Sequence, residues 1–87
     1  MERKAKGELE QDGYYVMKSG GSLGVFDLVA INKDSVRLIQ VKSTYKEWTE
    51  NTYKKDIEQI KALPVPDICK KELWVWKLRK GWDYLAL

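Results

Sequence analysis

Three polar side chains stand where apolar ones would be expected. Asp27 interrupts the run Phe26 to Ile31, and Gln40 and Lys42 interrupt the opposing strand Val36 to Lys42, otherwise Val36, Leu38, Ile39 and Val41 on its apolar positions. A carboxylate in such a run is costly to bury without partners. An acid, an amide and an amine together could hydrolyse a phosphodiester. The Asp27 carboxylate and the Gln40 amide oxygen can bind a divalent cation, which polarises a phosphate and acidifies bound water. Lys42 can orient the attacking water or stabilise charge in the transition state. The plainer alternative is an Asp27–Lys42 salt bridge on a partly exposed face.

Composition narrows the chemistry. The 87 residues contain no histidine and one cysteine, Cys69. His-based acid–base catalysis, His-rich zinc sites, intrachain disulfides and Cys-ligated metals are therefore excluded. Cys69 reads as a small buried apolar residue. Catalysis would fall to carboxylates, amides, lysines and hydroxyls around a hard cation. The net charge of +3 mildly suits a polyanionic partner. The length predicts one domain, residues 1–87, with no room for a nucleotide-binding domain. The Gly/Ser loop at Lys18-Ser19-Gly20-Gly21-Ser22-Leu23-Gly24 is neither a Walker loop nor a dinucleotide fingerprint, so no nucleotide cofactor is expected. Nothing reads as a membrane span or secretory signal, which predicts a cytoplasmic protein.

The positioning elements follow from periodicity. Glu2 to Asp12 reads as a helix stopped at Gly13, with a thin stripe of Ala5 and Leu9. Glu2 continues that stripe, so its carboxylate should face inward. Tyr14 to Met17 is a strand, and Phe26 to Ile31 and Val36 to Lys42 form a hairpin around Asn32-Lys33-Asp34-Ser35. If that turn leaves Ile31 opposite Val36, counting back along both strands sets Asp27 opposite Gln40, with Lys42 on the same face. A second helix should run from Thr49 to Leu63 and stop at Pro64, capped by Thr49 and stapled by Trp48 and Tyr53. Its buried stripe is Tyr53, Ile57 and Ile60. Leu73 to Leu78 and Trp82 to Leu87 are the closing strands. The predicted order is α-β-β-β-α-β-β, a mixed α/β (α+β) architecture.

At these residues the sequence resembles the PD-(D/E)XK nuclease superfamily, in which an Asp on one strand is followed by Glu or Gln, any residue, then Lys on the next. Here the segments are Gly24-Val25-Phe26-Asp27 and Gln40-Val41-Lys42-Ser43. The wider pattern is most similar to archaeal-type Holliday-junction resolvases. It includes Glu2-Arg3 on the first helix, Gly13-Tyr14 at the strand entry, the Lys18 to Ser22 loop, and Trp76-Lys77-Leu78 through Gly81-Trp82-Asp83-Tyr84.

The resemblance implies a restriction-endonuclease-like core: a central mixed sheet flanked by helices. It implies a Mg²⁺-dependent endonuclease, with Mn²⁺ a plausible substitute, acting on branched DNA as a homodimer. Asp27 would be the principal metal ligand, joined by Gln40, the Val41 carbonyl and Glu2. Lys42 would be the catalytic lysine. Arg3, Lys18, Ser19, Gly20, Gly21, Ser22 and Ser43 would contact DNA.

There are departures from the resolvase pattern. Gln40 replaces the usual Glu and brings no charge to a cation. Lys18 replaces the common Arg and loses a bidentate phosphate grip. The region of the second helix, where the resolvases build a dimer surface, is short. A nuclease for flaps or nicked duplex, or a non-catalytic DNA-binding module, are the alternatives.

Overall fold

The computed structural model describes residues 1–19 and 25–87. Its elements run α1 (Glu2–Gln11), β1 (Tyr15–Lys18), β2 (Leu28–Ile31), β3 (Val36–Thr44), α2 (Lys54–Ala62), β4 (Cys69–Lys77) and β5 (Gly81–Ala86). This is the expected order.

One five-stranded sheet is built in sequence order, β1-β2-β3-β4-β5. Neighbours are antiparallel except β3 and β4, which are parallel and joined through α2. A parallel pair needs such a crossover. The hairpin register is as counted from the sequence: Ile31 opposes Val36 and Leu28 opposes Ile39.

The two faces of the sheet carry separate apolar clusters. Ala5 and Leu9 of α1 pack with Val16, Leu28, Ala30, Ile39 and Trp74. Ile57 and Ile60 of α2 pack with Phe26, Leu73 and Val75, with Leu38 alongside. Neighbours such as Leu38 and Ile39, or Leu73 and Trp74, belong to opposite clusters, as period-two alternation requires. Leu9, Leu28, Ile39, Ile60, Leu73 and Val75 are fully buried. Each such side chain stabilises the fold by roughly 1.5–3 kcal/mol before entropy is counted.

The end of α1 shows why Gly13 stops it. Gly13 has φ 94° and its N–H donates to the Glu10 carbonyl, while the Tyr14 N–H donates to the Leu9 carbonyl at 3.1 Å. That Schellman arrangement needs a left-handed residue, for which glycine carries no Cβ penalty.

The second helix differs from expectation. Its N-cap is Tyr53 and no side chain caps it. Residues 49–53 form hydrogen-bonded turns instead, with the Thr49 N–H donating to Thr52 Oγ1 at 3.1 Å. Thr49 is therefore not the cap. The aromatic staple does form, with Trp48 and Tyr53 ring centroids 5.6 Å apart. Strand β4 begins at Cys69, four residues before the expected Leu73. Lys70, Lys71 and Glu72 are charged, but parallel pairing with β3 captures their backbone. Cys69 is only half-buried.

Candidate active site

Strand β2 reaches Asp27 through an irregularity. Leu28 faces Ile39 in the ladder, yet the Asp27 N–H also bonds to the Ile39 carbonyl, at 2.8 Å. Two residues thus share one partner. Phe26 lies in the α2-side cluster while Leu28 lies in the α1-side cluster. In an unbroken strand residues two apart share a face. The chain therefore slips by one residue at Asp27, as in a β-bulge, a device that re-aims side chains. On its other edge Asp27 stays in step with β1, its carbonyl accepting from the Ser19 N–H at 2.9 Å.

The slip changes what Asp27 meets. The pairing with Gln40 counted from the sequence is not formed, because the regular ladder ends one residue short of it. Asp27 Oδ2 instead accepts the backbone N–H of Val41 at 2.7 Å. The carboxylate thereby closes a gap in the β3 ladder that the bulge opens. Its other oxygen, Oδ1, makes no hydrogen bond among the described residues.

Gln40 and Lys42 alternate with Leu38 on the α2 side of β3. Gln40 is half-buried, and its Oε1 is buried with no hydrogen-bond partner among the described residues. Such an acceptor costs about 1–3 kcal/mol if nothing satisfies it. Lys42 Nζ lies 3.3 Å from Asp56 Oδ1, on the first turn of α2. The salt bridge of Lys42 is thus with Asp56 and not with Asp27. Sequence reasoning missed Asp56, although the signal was present: it falls three residues after Tyr53 and four before Ile60, on the edge of the buried stripe.

Glu2 is half-buried in the first turn of α1, on the stripe of Ala5 and Leu9 as expected. Among the described residues no hydrogen bond or ion pair joins it to Asp27, Gln40 or Lys42. Arg3, Lys18, Ser19 and Ser43 are all exposed. Lys18 and Ser19 end β1 beside Asp27, and Ser43 follows Lys42 on the α1 side of β3. Gly20, Gly21 and Ser22 lie outside the described residues.

The donor set suits a hard cation by type. Asp27 Oδ1 and the buried Gln40 Oε1, neither hydrogen-bonded among the described residues, are oxygen donors of the kind a hard cation takes. No group of three or more His, Cys, Asp or Glu able to hold a metal ion occurs among the described residues. Asp27 and Gln40 thus offer one carboxylate oxygen and one amide oxygen to a cation.

No protein-family model and no curated protein matches the chain. A solved structure does. The Holliday junction resolvase Hjc of the archaeal hyperthermophile Archaeoglobus fulgidus superposes with a TM-score of 0.73 and 18% identity, over 97% of this chain and 74% of that one. The fold is that of the PD-(D/E)XK nucleases.

On this PD-(D/E)XK fold the chain carries Asp27 at the bulge that opens β2, and Gln40, Val41 and Lys42 inside β3. The expected fold class, two helices flanking a central mixed sheet, is the one observed. No helix among the described residues is long and apolar enough to cross a membrane.

Proposed function

We propose that this chain is a metal-dependent DNA endonuclease that hydrolyses phosphodiester bonds in branched DNA, in the manner of a Holliday-junction resolvase. One observation carries the reading: a buried Gln40 Oε1, without a hydrogen-bond partner among the described residues, lies on the strand that bears Lys42, beside a bulge presenting Asp27. A buried acceptor calls for a partner, and a cation shared with Asp27 would supply one.

In this reading Asp27 and Gln40 hold Mg²⁺, or Mn²⁺ in its place, with the Val41 carbonyl and Glu2 as further ligands. The bound cation supplies Lewis acidity toward the phosphate and a water of lowered pKa. The Val41 amide fixes the Asp27 carboxylate through Oδ2 and leaves Oδ1 without a hydrogen bond among the described residues. Lys42, held by Asp56, keeps its ammonium where charge develops on the phosphate oxygens. Arg3, Lys18, Ser19 and Ser43, with the loop residues Gly20, Gly21 and Ser22, contact the DNA backbone. Cutting a four-way junction symmetrically takes two sites, so the active form is a twofold homodimer.

Gln40 in place of a carboxylate also favours a second reading, a DNA-binding module that does not cut. Cleavage of a four-way junction beside matched linear duplex, flap and nicked DNA, each with and without Mg²⁺ or Mn²⁺, separates these. Junction-selective, metal-dependent cutting supports the resolvase reading. Equal cutting of every substrate reduces it to a nuclease without preference for DNA structure. Tight DNA binding without cleavage in either metal establishes the binding module.

A further inference from the structure

Beyond the end of β3 the chain forms an open cavity of about 350 Å³, lined by Met1, Ser43, Thr44, Tyr45, Trp76 and Leu78. It lies where the parallel pair β3 and β4 ends, since Ser43 pairs with Trp76 and Thr44 with Lys77. Carboxyl ends of parallel strands are where α/β sheets characteristically bind ligands. The volume is at the lower end of the range for small-molecule sites.

Its lining is unusual for a surface. Met1, Tyr45 and Leu78 are 50%, 79% and 56% exposed, a local concentration of large apolar side chains in solvent. Cations accompany the rings. Lys4 Nζ lies 4.2 Å from the Trp76 ring centroid, and Lys46 Nζ lies 5.6 Å from that of Tyr45. Trp76 is braced from within by Trp82, with centroids 5.2 Å apart in an edge-on contact. The Ser43 hydroxyl makes no hydrogen bond among the described residues and sits one residue from Lys42.

We infer that this cavity, at the end of the strand that bears Lys42, receives one unpaired nucleobase of the DNA. The inference rests on the nuclease reading for its position but not for its chemistry. Aromatic rings interleaved with lysines are the means by which proteins hold single-stranded nucleic acid: the rings stack bases and the amines neutralise phosphates. Lys4 and Lys46 provide the charge complementarity that an apolar protein segment would not require. Ser43 can bond to a base edge. Branch points and flaps supply unstacked bases; continuous duplex does not. The cavity would thus make substrate choice a matter of one accessible base.

The test measures binding without chemistry. A flapped duplex carries 2-aminopurine as the nucleotide at the branch, and a matched DNA carries an abasic nucleotide there. Both are titrated into the full chain without divalent metal, following anisotropy and 2-aminopurine quenching. We expect quenching on binding and roughly tenfold weaker binding of the abasic DNA, the scale of one stacked base. Tyr45→Ala and Trp76→Leu should each reduce that difference. Tyr45 is exposed enough that its replacement leaves the fold intact, and circular dichroism checks Trp76→Leu. Equal binding of the two DNAs, or an unchanged preference in Tyr45→Ala, overturns the inference. Base-dependent binding without cleavage on adding Mg²⁺ or Mn²⁺ upholds the cavity and removes the nuclease. Metal-dependent cleavage indifferent to the base does the reverse, and absence of any DNA binding removes both.

Discussion

Lys42 Nζ lies 3.3 Å from Asp56 Oδ1, tying the amine of β3 to the first turn of α2. Both side chains are about one-third exposed, 32% and 28%. Solvent screening therefore limits the pair to about 0–1 kcal/mol of stability. Its value would lie in aim. A flexible four-carbon amine is held toward one point, as catalytic groups require.

Asp56→Asn should accordingly leave the fold nearly unchanged and impair catalysis. We expect cleavage to slow by roughly tenfold to a hundredfold, the cost of a misplaced group. DNA affinity should change less than about twofold, since one partly exposed charge is removed without touching a phosphate contact. Single-turnover rates beside anisotropy titrations measure both. Unchanged cleavage would show that Lys42 needs no positioning by α2.

Asp27→Asn and Asp27→Ala separate structure from chemistry at one position. Asparagine keeps an oxygen able to accept the Val41 N–H; alanine orphans it, which costs about 1–3 kcal/mol. Melting should therefore drop for Ala and much less for Asn. Cleavage should fall by about a hundredfold or more in both, because each loses the proposed anionic metal ligand. Junction binding without metal should survive in Asp27→Asn. Turnover unchanged in either variant would remove Asp27 from the mechanism.

Gln40→Glu turns an amide oxygen that has no hydrogen-bond partner among the described residues into a carboxylate. Without a cation, burial disfavours the charged form, so the variant should melt below the parent near neutral pH. Added Mg²⁺ should restore it, by mass action on the folded state. One kcal/mol corresponds to about 4–8 °C at this size. The Mg²⁺ needed for half-maximal cleavage should drop, because ligand charge sets affinity. A melting temperature equally insensitive to Mg²⁺ in both proteins would mean that Gln40 faces no cation site.

Much of this architecture was legible because it is set by local patterning. The turn at Asn32 is an example: Asn32 Oδ1 accepts the backbone N–H groups of Asp34 and Ser35, both at 2.8 Å, and fixes the register of the hairpin. Gly13 likewise announced the end of α1. The Asp27 bulge was not legible, since alternation predicts a straight strand and only the facing clusters of Phe26 and Leu28 reveal the slip. The early start of β4 was hidden for a related reason. Lys70 and Lys71 look solvent-facing, and the side chain of Lys71 does reach out, to the Lys61 and Leu63 carbonyls at the end of α2. Backbone pairing with β3 is a non-local term that residue type does not report.

Acid should weaken one surface cluster in a defined window. The Lys80 hydrogen bond, then the charges of Lys77 and Lys80, hold the Glu47 carboxyl below its ordinary value of 4.5. A depressed folded-state pKa gives stability that is present above the unfolded value and lost as pH falls through the folded one. Glu47→Gln should therefore narrow the difference in melting temperature between pH 6 and pH 3, and high salt should do the same to the parent. These pH values stand roughly on either side of the ordinary carboxylate range. An identical acid profile in parent and variant would exclude the cluster as a contributor.

Arg37 and Glu72 make the shortest ion pair among the described residues, and its contribution should prove conditional. Two parallel hydrogen bonds of 2.6 and 2.7 Å join the guanidinium to the carboxylate across β3 and β4. Glu72 is 8% exposed and also accepts the Trp74 indole N–H at 2.8 Å. Tyr14 and Trp74 flank the guanidinium, at 5.1 and 5.6 Å. The Glu72 hydrogen bond raises the Arg37 pKa above its ordinary value, despite partial burial. Arg37 therefore remains charged throughout the working range. Removing it alone, as in Arg37→Leu, strands a buried carboxylate and should cost about 3–5 kcal/mol. Replacing both partners, Arg37→Leu with Glu72→Leu, removes the stranded charge along with the pair. The double variant should recover a large part of that loss, because desolvating two ions offsets most of their attraction. Urea denaturation of the parent, the two single variants and the double variant closes the cycle. A double variant no more stable than Arg37→Leu would show that the pair and its aromatic frame hold β3 to β4 in a way that apolar packing cannot replace.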